Sequence, residues 1–598
     1  MTWTIADSKL VYGVNQKDLS HLDISSNGKL ELVIDGKKIT FEEIVRHFCT
    51  TTKYQDCSFA IRLPQLIVSQ IKKLFTSFRV AREKYSYKGS YHPIYPIKVN
   101  HSKFIIDTIR KAHPNYAFES GTKSEFILLK EVLKDEKHRL IMCNGNKDHE
   151  FLEEMKIAIR EGYTICLSIE SVQELKDTLT ILPRKGFQLA FRIKPYVSLH
   201  GHWGTSSSRH SKFGLAIGEL VEVMNLLKER KATSLLTTLH AHPGSQITSL
   251  HDIENYAHFM ATVFRLLHEN GLTNLRAINF GGGLPIDYDN RLDSLFMKKY
   301  ADILVKVLAQ ELPALQPELL TESGRAITAL STIVVVKTID RYAVFPESAI
   351  DEQLKNHFWS KAKTLLHAKS SKEVLANWQQ WEDSQLVLDS LQHLHDFEHV
   401  TLLLKRKLRE EFFQHNDYLE YLNTPAAKSL LKPEYTVQGN FSIFNSICDL
   451  VLVSQYFPVI PLNNLHLQPE TLVRLFDITC DSDGVVDVYN APVSEKKLAT
   501  KDHFQLTFPK ELTLGGIPVG KKDELIDSYF VIPLAGAYQD IIEFDHNLLG
   551  DLPDVLVTAR TDWQITLLTG AESIGDILED LGYHFPNSND PYFDNGGK

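Results

Sequence analysis

A chain of 598 residues, 43% hydrophobic and 23% charged, has an ordinary globular composition and is long enough for several domains and a large core. Its formal net charge of -10, with no basic stripe, argues against a nucleic-acid partner, and no apolar run approaches the roughly 20 residues of a membrane span. Six cysteines (Cys49, Cys57, Cys143, Cys166, Cys448 and Cys480) form no CxxC pair, which argues against a disulfide framework or a zinc site and fits a reducing cytoplasm.

The opening Met1-Thr2-Trp3-Thr4-Ile5-Ala6-Asp7 has neither a basic n-region nor an apolar h-region, so no signal peptide is expected. Residues 20–45 read as strands, with Leu30-Glu31-Leu32-Val33-Ile34 followed by a glycine turn, and segment 1–60 is expected to lend strands to a β-domain later in the chain. From 61 to 345, short apolar or β-branched runs alternate with amphipathic stretches such as 124–134 and 149–160. The runs are 94–98, 116–119, 140–144, 164–170, 188–192, 237–242, 277–280 and 319–322. Eight strands alternating with helices predict an α/β fold, a (β/α)8 TIM barrel. The same alternation permits a doubly wound open sheet, but no dinucleotide fingerprint follows the first strand. The loop 195–213, rich in Ser, Gly and His, reads as a lid or as an insertion. Residues 365–433 read as a helical bundle insert, with a stripe of Val387, Leu388, Leu391, Leu394 and Phe397. Segment 434–545 returns to β-type runs, and 546–598 is expected to be a helical extension with a frayed end from Asn587.

Nearly every barrel run ends in a residue with chemistry: Lys98, Glu119, Asn144, Glu170, Arg192, His242, the Gly281-Gly282-Gly283 turn and Glu322. In a barrel these emerge at one face, where active sites are built. Lys98 closes Ile94-Tyr95-Pro96-Ile97 and stands where a Schiff-base lysine is needed, since a partly desolvated ammonium loses proton affinity; a surface lysine after an edge strand reads the same locally. Three glycines after a strand let backbone N–H groups approach a phosphate, or simply make a tight turn. Glu322 and Arg325 could hold a protonated ring nitrogen and a phosphate, or form a surface ion pair. In His240-Ala241-His242-Pro243-Gly244-Ser245-Gln246, His242 could lie flat on a planar cofactor with Ser245 on its phosphate; a structural histidine is the plainer reading. Cys480-Asp481-Ser482-Asp483-Gly484 could bind a cation or be a capped turn, and Tyr538 offers a hydroxyl to a phosphate.

Taken together, the run 95–100, Ser211-Lys212-Phe213-Gly214-Leu215, the 240–246 run, 281–287, 322–325, 477–484 and 536–540 resemble the biosynthetic arginine decarboxylases. These belong to the alanine-racemase-like class of pyridoxal-phosphate enzymes and are related to ornithine and diaminopimelate decarboxylases. The similarity runs through most of the chain, and the 480–484 run and the helical insert point to this branch. The resemblance implies conversion of L-arginine to agmatine and CO2, on the way to polyamines, in the cytoplasm. It implies that Lys98 bonds pyridoxal 5'-phosphate, that Glu322 keeps the ring nitrogen protonated, and that His242 stacks on the ring. Gly281, Gly282, Gly283, Ser245, Arg325 and Tyr538 are implied phosphate ligands, with Arg192 and Glu125 tuning the lysine. Leu284, Pro285, Asp287, Tyr288, Asp481 and Asp483 are implied substrate contacts. Cys480 is implied to come from a neighbouring subunit of a homodimer or tetramer and to protonate the carbanion. Magnesium is implied too, without ligands. Pro243, where the family has an apolar branched residue, Ala241 before the histidine, and the rewritten 200–212 loop bear on substrate preference. Related decarboxylases acting on diaminopimelate, ornithine or a carboxylated polyamine, a racemase, and an inactive regulatory homologue are the alternatives; Glu322, where racemases carry arginine, argues against the second.

Overall fold

The computed structural model describes residues 3–197, 211–346, 357–384, 390–422, 424–469, 471–487, 489–490, 497–499, 505–507, 513–514 and 516–583. Eight strands close into a parallel barrel in sequence order: β1 (Tyr91–Pro96), β2 (Ala117–Ser120), β3 (Leu140–Cys143), β4 (Thr164–Ile169), β5 (Gln188–Arg192), β6 (Leu236–His240), β7 (Ala277–Asn279) and β8 (Glu318–Thr321). β8 pairs back onto β1, with Leu319 opposite Tyr91. The interior is filled by Ile94, Ala117, Met142, Cys166, Ala190, Ala277 and Leu320, so it is a packed core rather than a pore. The much larger apolar core lies between the strands and the surrounding helices.

Caps set where the helices begin. Thr122 and Glu125 form a reciprocal capping box on Lys123–Val132. Asp148, Ser171 and Ser249 cap the helices after β3, β4 and β6. Thr122, Asp148 and Ser171 turn the chain within about five residues of a strand end, which keeps those loops short and fixes the side chains on them. The segments after β5 and β7 are longer, and residues 198–210 of the first lie outside the described ones.

The 12-residue strand Thr332–Ala343 leaves the barrel and organises a mixed ten-stranded sheet. It pairs antiparallel with Phe59–Arg62, Tyr529–Ile532 and Tyr435–Gly439. Ala343 lies opposite Tyr435, and Val344 donates its N–H to Glu434 O at 2.9 Å. Between these two positions sit helices His357–Lys363, Ser371–Glu382, Leu391–Gln414, Tyr418–Tyr421 and Pro425–Leu431, which enclose a core of their own.

Three expectations are corrected. Residues 20–45 do form strands, Leu22–Ile24, Leu30–Ile34 and Lys37–Thr40, but these make a separate three-stranded sheet. The N-terminal contribution to the large sheet is Phe59–Arg62. The stretch after 546 is not chiefly helical: Asp554–Ala559 and Trp563–Thr569 form a hairpin that extends the large sheet beside Phe59–Arg62, and the described α-helix is only Ile574–Asp580. Its alternating Val555 and Val557 are buried while their neighbours face out, a period of two that no helix satisfies. In the insert, Leu391 is 86% exposed and Leu394 is also exposed. The buried stripe runs through Phe397, Val400, Leu404, Leu408 and Phe412, because the 24-residue helix outruns the 12-residue helix it packs on. Val387 and Leu388 lie outside the described residues, as does the tail from 584.

Candidate active site

The polar residues predicted at the strand ends gather at one mouth. Lys98 lies just past β1, in the turn Ile97–Val99. The turn places its ammonium in the mouth, facing several charges. Burial works against that charge, but Glu119, Tyr538 and Glu322 more than offset it, and the lysine pKa is raised. Desolvation alone predicts the opposite sign; two buried carboxylates facing the amine reverse it.

Glu322, just past β8, is buried and held from three sides. Asn279 Nδ2 donates to Oε1 at 2.7 Å, and Asn144 Nδ2 lies 3.2 Å from both oxygens. His240 Nε2 stands 3.5 Å away, and burial pushes its ring far below the usual histidine pKa, so it is neutral. Neutral amides on both oxygens fix the aim of this carboxylate.

A second network supports the mouth from beneath. Arg192 Nη1 donates to Glu170 at 2.7 Å, and its guanidinium lies 4.8 Å from the centre of the Phe213 ring. Gly145 N also donates to Glu170, whose backbone N–H in turn donates to Glu174. Glu174 pairs with Lys147 at 2.7 Å, both side chains almost fully buried, and Lys147 donates further to Gly145 O and Ser168 O. Glu125 has its carboxylate on the backbone N–H groups of Gly121 and Thr122. It is a helix cap first, and faces Glu119 rather than contacting Lys98.

Opposite Lys98 lies a cradle of backbone. Gly281 and Gly283 have φ of +64° and +98°. A Cβ on Gly281 would sit 2.6 Å from Ala241 O, and one on Gly282 2.9 Å from His242 Nε2 and from Glu322 O. Only glycine lets this loop run so close to the histidine and the carboxylate. Burial and the facing Lys98 hold the His242 pKa down to about 3, so its ring is neutral. Gly283 also abuts the backbone of Gly244, which brings the Ser245 loop alongside. Arg325 is buried, donates to Tyr288 OH at 3.0 Å, lies over the Tyr538 ring at 4.6 Å, and keeps Nε without a partner. Tyr538 takes φ +74° and donates its N–H to Val99 O at 2.7 Å, next to Lys98 itself. An arginine and two tyrosines beside an open glycine loop suit a phosphate. Among the described residues no group of three or more His, Cys, Asp or Glu is placed to hold a metal ion.

Other predicted residues stand apart. Asp287 is committed to Arg291 N, Leu292 N and Lys17, and Leu284 and Pro285 are buried in the same loop. Tyr288 is bound to Arg325. Cys480 is exposed, and its contacts run to Asn547, while Asp481 pairs with His546 at 3.3 Å and Asp483 faces solvent. Sequence reasoning missed Asn279, Lys147 and Glu174. Asn279 had a findable signal, being the residue before the Phe280-glycine run; the buried Lys147–Glu174 pair had none, since both look like ordinary solvated charges.

Comparison with known proteins adds the following. Residues 69–329 match the family described as pyridoxal-dependent decarboxylase, pyridoxal binding domain. The biosynthetic arginine decarboxylase of Bacteroides thetaiotaomicron is 27% identical over 97% of this chain and 92% of its own length. That of Shewanella halifaxensis is also 27% identical, with the same coverage. Among solved structures, the biosynthetic arginine decarboxylase of Campylobacter jejuni superposes with a TM-score of 0.71 at 26% identity, covering 96% of this chain and 92% of that one. A diaminopimelate decarboxylase from M. jannaschii shares the fold, with a TM-score of 0.59 at 16% identity and coverage of 94% and 98%.

Proposed function

From the match of residues 69–329 to the pyridoxal-binding domain of pyridoxal-dependent decarboxylases and the end-to-end likeness to arginine decarboxylases, we propose that this chain converts L-arginine to agmatine and CO2 with pyridoxal 5'-phosphate, as a step toward polyamines. The observation that carries the reading is the end-to-end likeness to arginine decarboxylases, joined to a mouth whose residues fit that cofactor. When bound, the cofactor supplies a conjugated ring that accepts the electron pair released as the carboxylate leaves.

This chain's residues do the rest. Lys98 would hold the cofactor through its aldehyde carbon, its amine facing the mouth. Glu322, held by Asn279 and Asn144, would face the ring nitrogen and keep a proton there. Neutral His242 would lie against the cofactor ring. Gly281, Gly282, Gly283, Ser245, Arg325 and Tyr538 hold the phosphate, and Arg192 with Glu125 sets the charge around Lys98. Cys480 reaches a second subunit's mouth and returns a proton to carbon, while Asp481 and Asp483 meet the guanidinium there with paired carboxylate contacts. A homodimer or a larger even assembly follows. No described helix is long and apolar enough to cross a membrane, and all six cysteines are free, in keeping with work in the cytoplasm.

The test is agmatine release from L-arginine by the purified chain with added pyridoxal phosphate, beside ornithine, lysine and diaminopimelate. Turnover of another of these in preference to arginine would overturn the substrate assignment; no turnover of any would overturn the activity.

A further inference from the structure

The carboxylates gathered around the mouth differ in one respect. Glu125 accepts from two backbone N–H groups, Glu170 from Arg192 and Gly145, Glu174 from Lys147, and Glu322 from two amides. Glu119, at 0% exposure on β2, accepts from none: both of its oxygens are buried without a hydrogen-bond partner. A buried carboxylate left bare is costly unless it has a charge to face or a proton to hold.

Its position supplies the charge. Glu119 lies in register with Pro96, two residues before Lys98, and β2 packs against the turn that carries the lysine. The groups facing it are Lys98 from that turn, Glu322 past β8, Glu125 from the helix after β2, Arg192 at the end of β5, and Cys143 on β3. Lys98 is the foremost cation among them. Burial, with Glu322 and Glu125 adding to it, pushes the Glu119 pKa up to about 7 against the pull of Lys98. A carboxyl balanced there exchanges a proton near neutral pH, where a carboxylate with ordinary partners stays ionised.

We propose that Glu119 is the proton partner of Lys98: it takes a proton from the ammonium, one N–H bond breaking and one O–H bond forming, and returns it when the lysine is released. The neutral amine so produced is the form that can attack a carbonyl carbon. Glu119 acts through Lys98 and touches neither substrate nor ring. The inference rests on the reading of Lys98 as the cofactor lysine, and it explains how a lysine whose pKa is raised can still serve as an amine.

Two measurements on the full-length chain test it. In the first, pyridoxal phosphate is mixed with cofactor-free wild type, Glu119→Gln and Glu119→Asp, and the loading rate is followed by absorbance from pH 6 to 9. Glu119→Gln is expected to load at least about tenfold more slowly at pH 7, although loss of the carboxylate by itself lowers the Lys98 pKa and frees more amine. Glu119→Asp is expected to fall between, and stands in if the glutamine variant is insoluble. Loading by Glu119→Gln that matches wild type at every pH would overturn the proposal. In the second, carboxyl-13C glutamate is titrated by NMR in the chain without cofactor. The resonance lost in Glu119→Gln should titrate near neutrality, and its midpoint should rise by at least about one unit in Lys98→Met, where the opposing charge is gone. An unmoved midpoint refutes the pairing. Wild type that never loads pyridoxal phosphate would sink the decarboxylase reading alone, and the titration would still decide the Glu119–Lys98 link.

Discussion

Asn279 and Glu322 are joined by a 2.7 Å hydrogen bond whose other end is anchored in the glycine loop, because Asn279 Oδ1 accepts from Gly281 N at 2.9 Å. One buried amide thereby sets the spacing between the carboxylate proposed for the ring nitrogen and the loop proposed for the phosphate. Replacing it loosens both.

Asn279→Ala is expected to cost about 1–3 kcal/mol of stability, because Glu322 loses its shortest donor in a buried site. Turnover should fall by about tenfold or more while the arginine KM changes little, since the residue orients rather than binds substrate. Thermal unfolding and steady-state kinetics check the two halves separately.

Lys98→Ala should lose the retained yellow absorbance of bound pyridoxal phosphate after gel filtration and at least about a hundredfold in turnover. Full turnover by this variant would remove Lys98 from the mechanism.

The Lys147–Glu174 pair should act as a structural keystone. Lys147→Met alone leaves Glu174 charged, buried and without its cation, an arrangement that costs about 3–5 kcal/mol. The double variant Lys147→Met/Glu174→Leu should recover part of that loss, as buried pairs replaced by apolar side chains often do. Denaturant melts of the three proteins decide this.

Stability should also carry a pH signature from the cavity of about 920 Å³ lined by Arg62, Asp540, Glu543, Asp551, Asp554 and Glu572. Burial, with Asp551 and Asp540 nearby, raises the Glu543 pKa from 4.5 to about 9, and burial with Glu572 nearby raises Asp551 to about 6. Between pH 4.5 and about 9 the folded chain then holds a proton on Glu543 that the unfolded chain has released, so this group lowers stability steadily as pH rises through that window. Glu543→Gln should therefore stabilise the protein more at pH 8 than at pH 5. Equal effects at both pH values would contradict the assignment.

Mixing Cys480→Ala with Lys98→Ala tests the shared site. If Cys480 serves its neighbour's mouth, hybrid dimers regain one intact site in two, and randomly reassorted chains recover about a quarter of wild-type activity. Recovery of none after subunit exchange would place Cys480 in its own subunit's site, and a Cys480→Ala protein active by itself would place it outside catalysis.

Much of the mouth was legible in the sequence because strand ends combine two signals, a short apolar run and a polar residue closing it. Lys98, Glu119, Asn144, Glu170, Arg192 and Glu322 were all visible that way. The displacement of Lys98 from the strand into a turn was not, since Pro96-Ile97-Lys98-Val99 reads as extended either way. The sign of the lysine's pKa was also hidden, because it depends on which carboxylates the closed barrel turns toward it. Lys147 and Glu174 could not be found at all: a charged residue in a loop or on a helix looks solvated until the fold buries its partner beside it. The 554–569 hairpin was misread because its alternation is short and follows a polar, proline-containing stretch, although Val555 and Val557 carried the strand period.

The neighbouring positions of Val344 and Glu434 have an evolutionary reading. Chain enters and leaves the helical bundle across a single backbone hydrogen bond between paired strands, so the bundle is an enlarged hairpin loop. Growth or deletion at such a point leaves both strands in register, and the entropy of closing a loop rises only slowly with its length. A lineage could acquire or discard this whole appendage without redesigning the barrel or the sheet, which makes it the cheapest place on the chain for relatives to diverge.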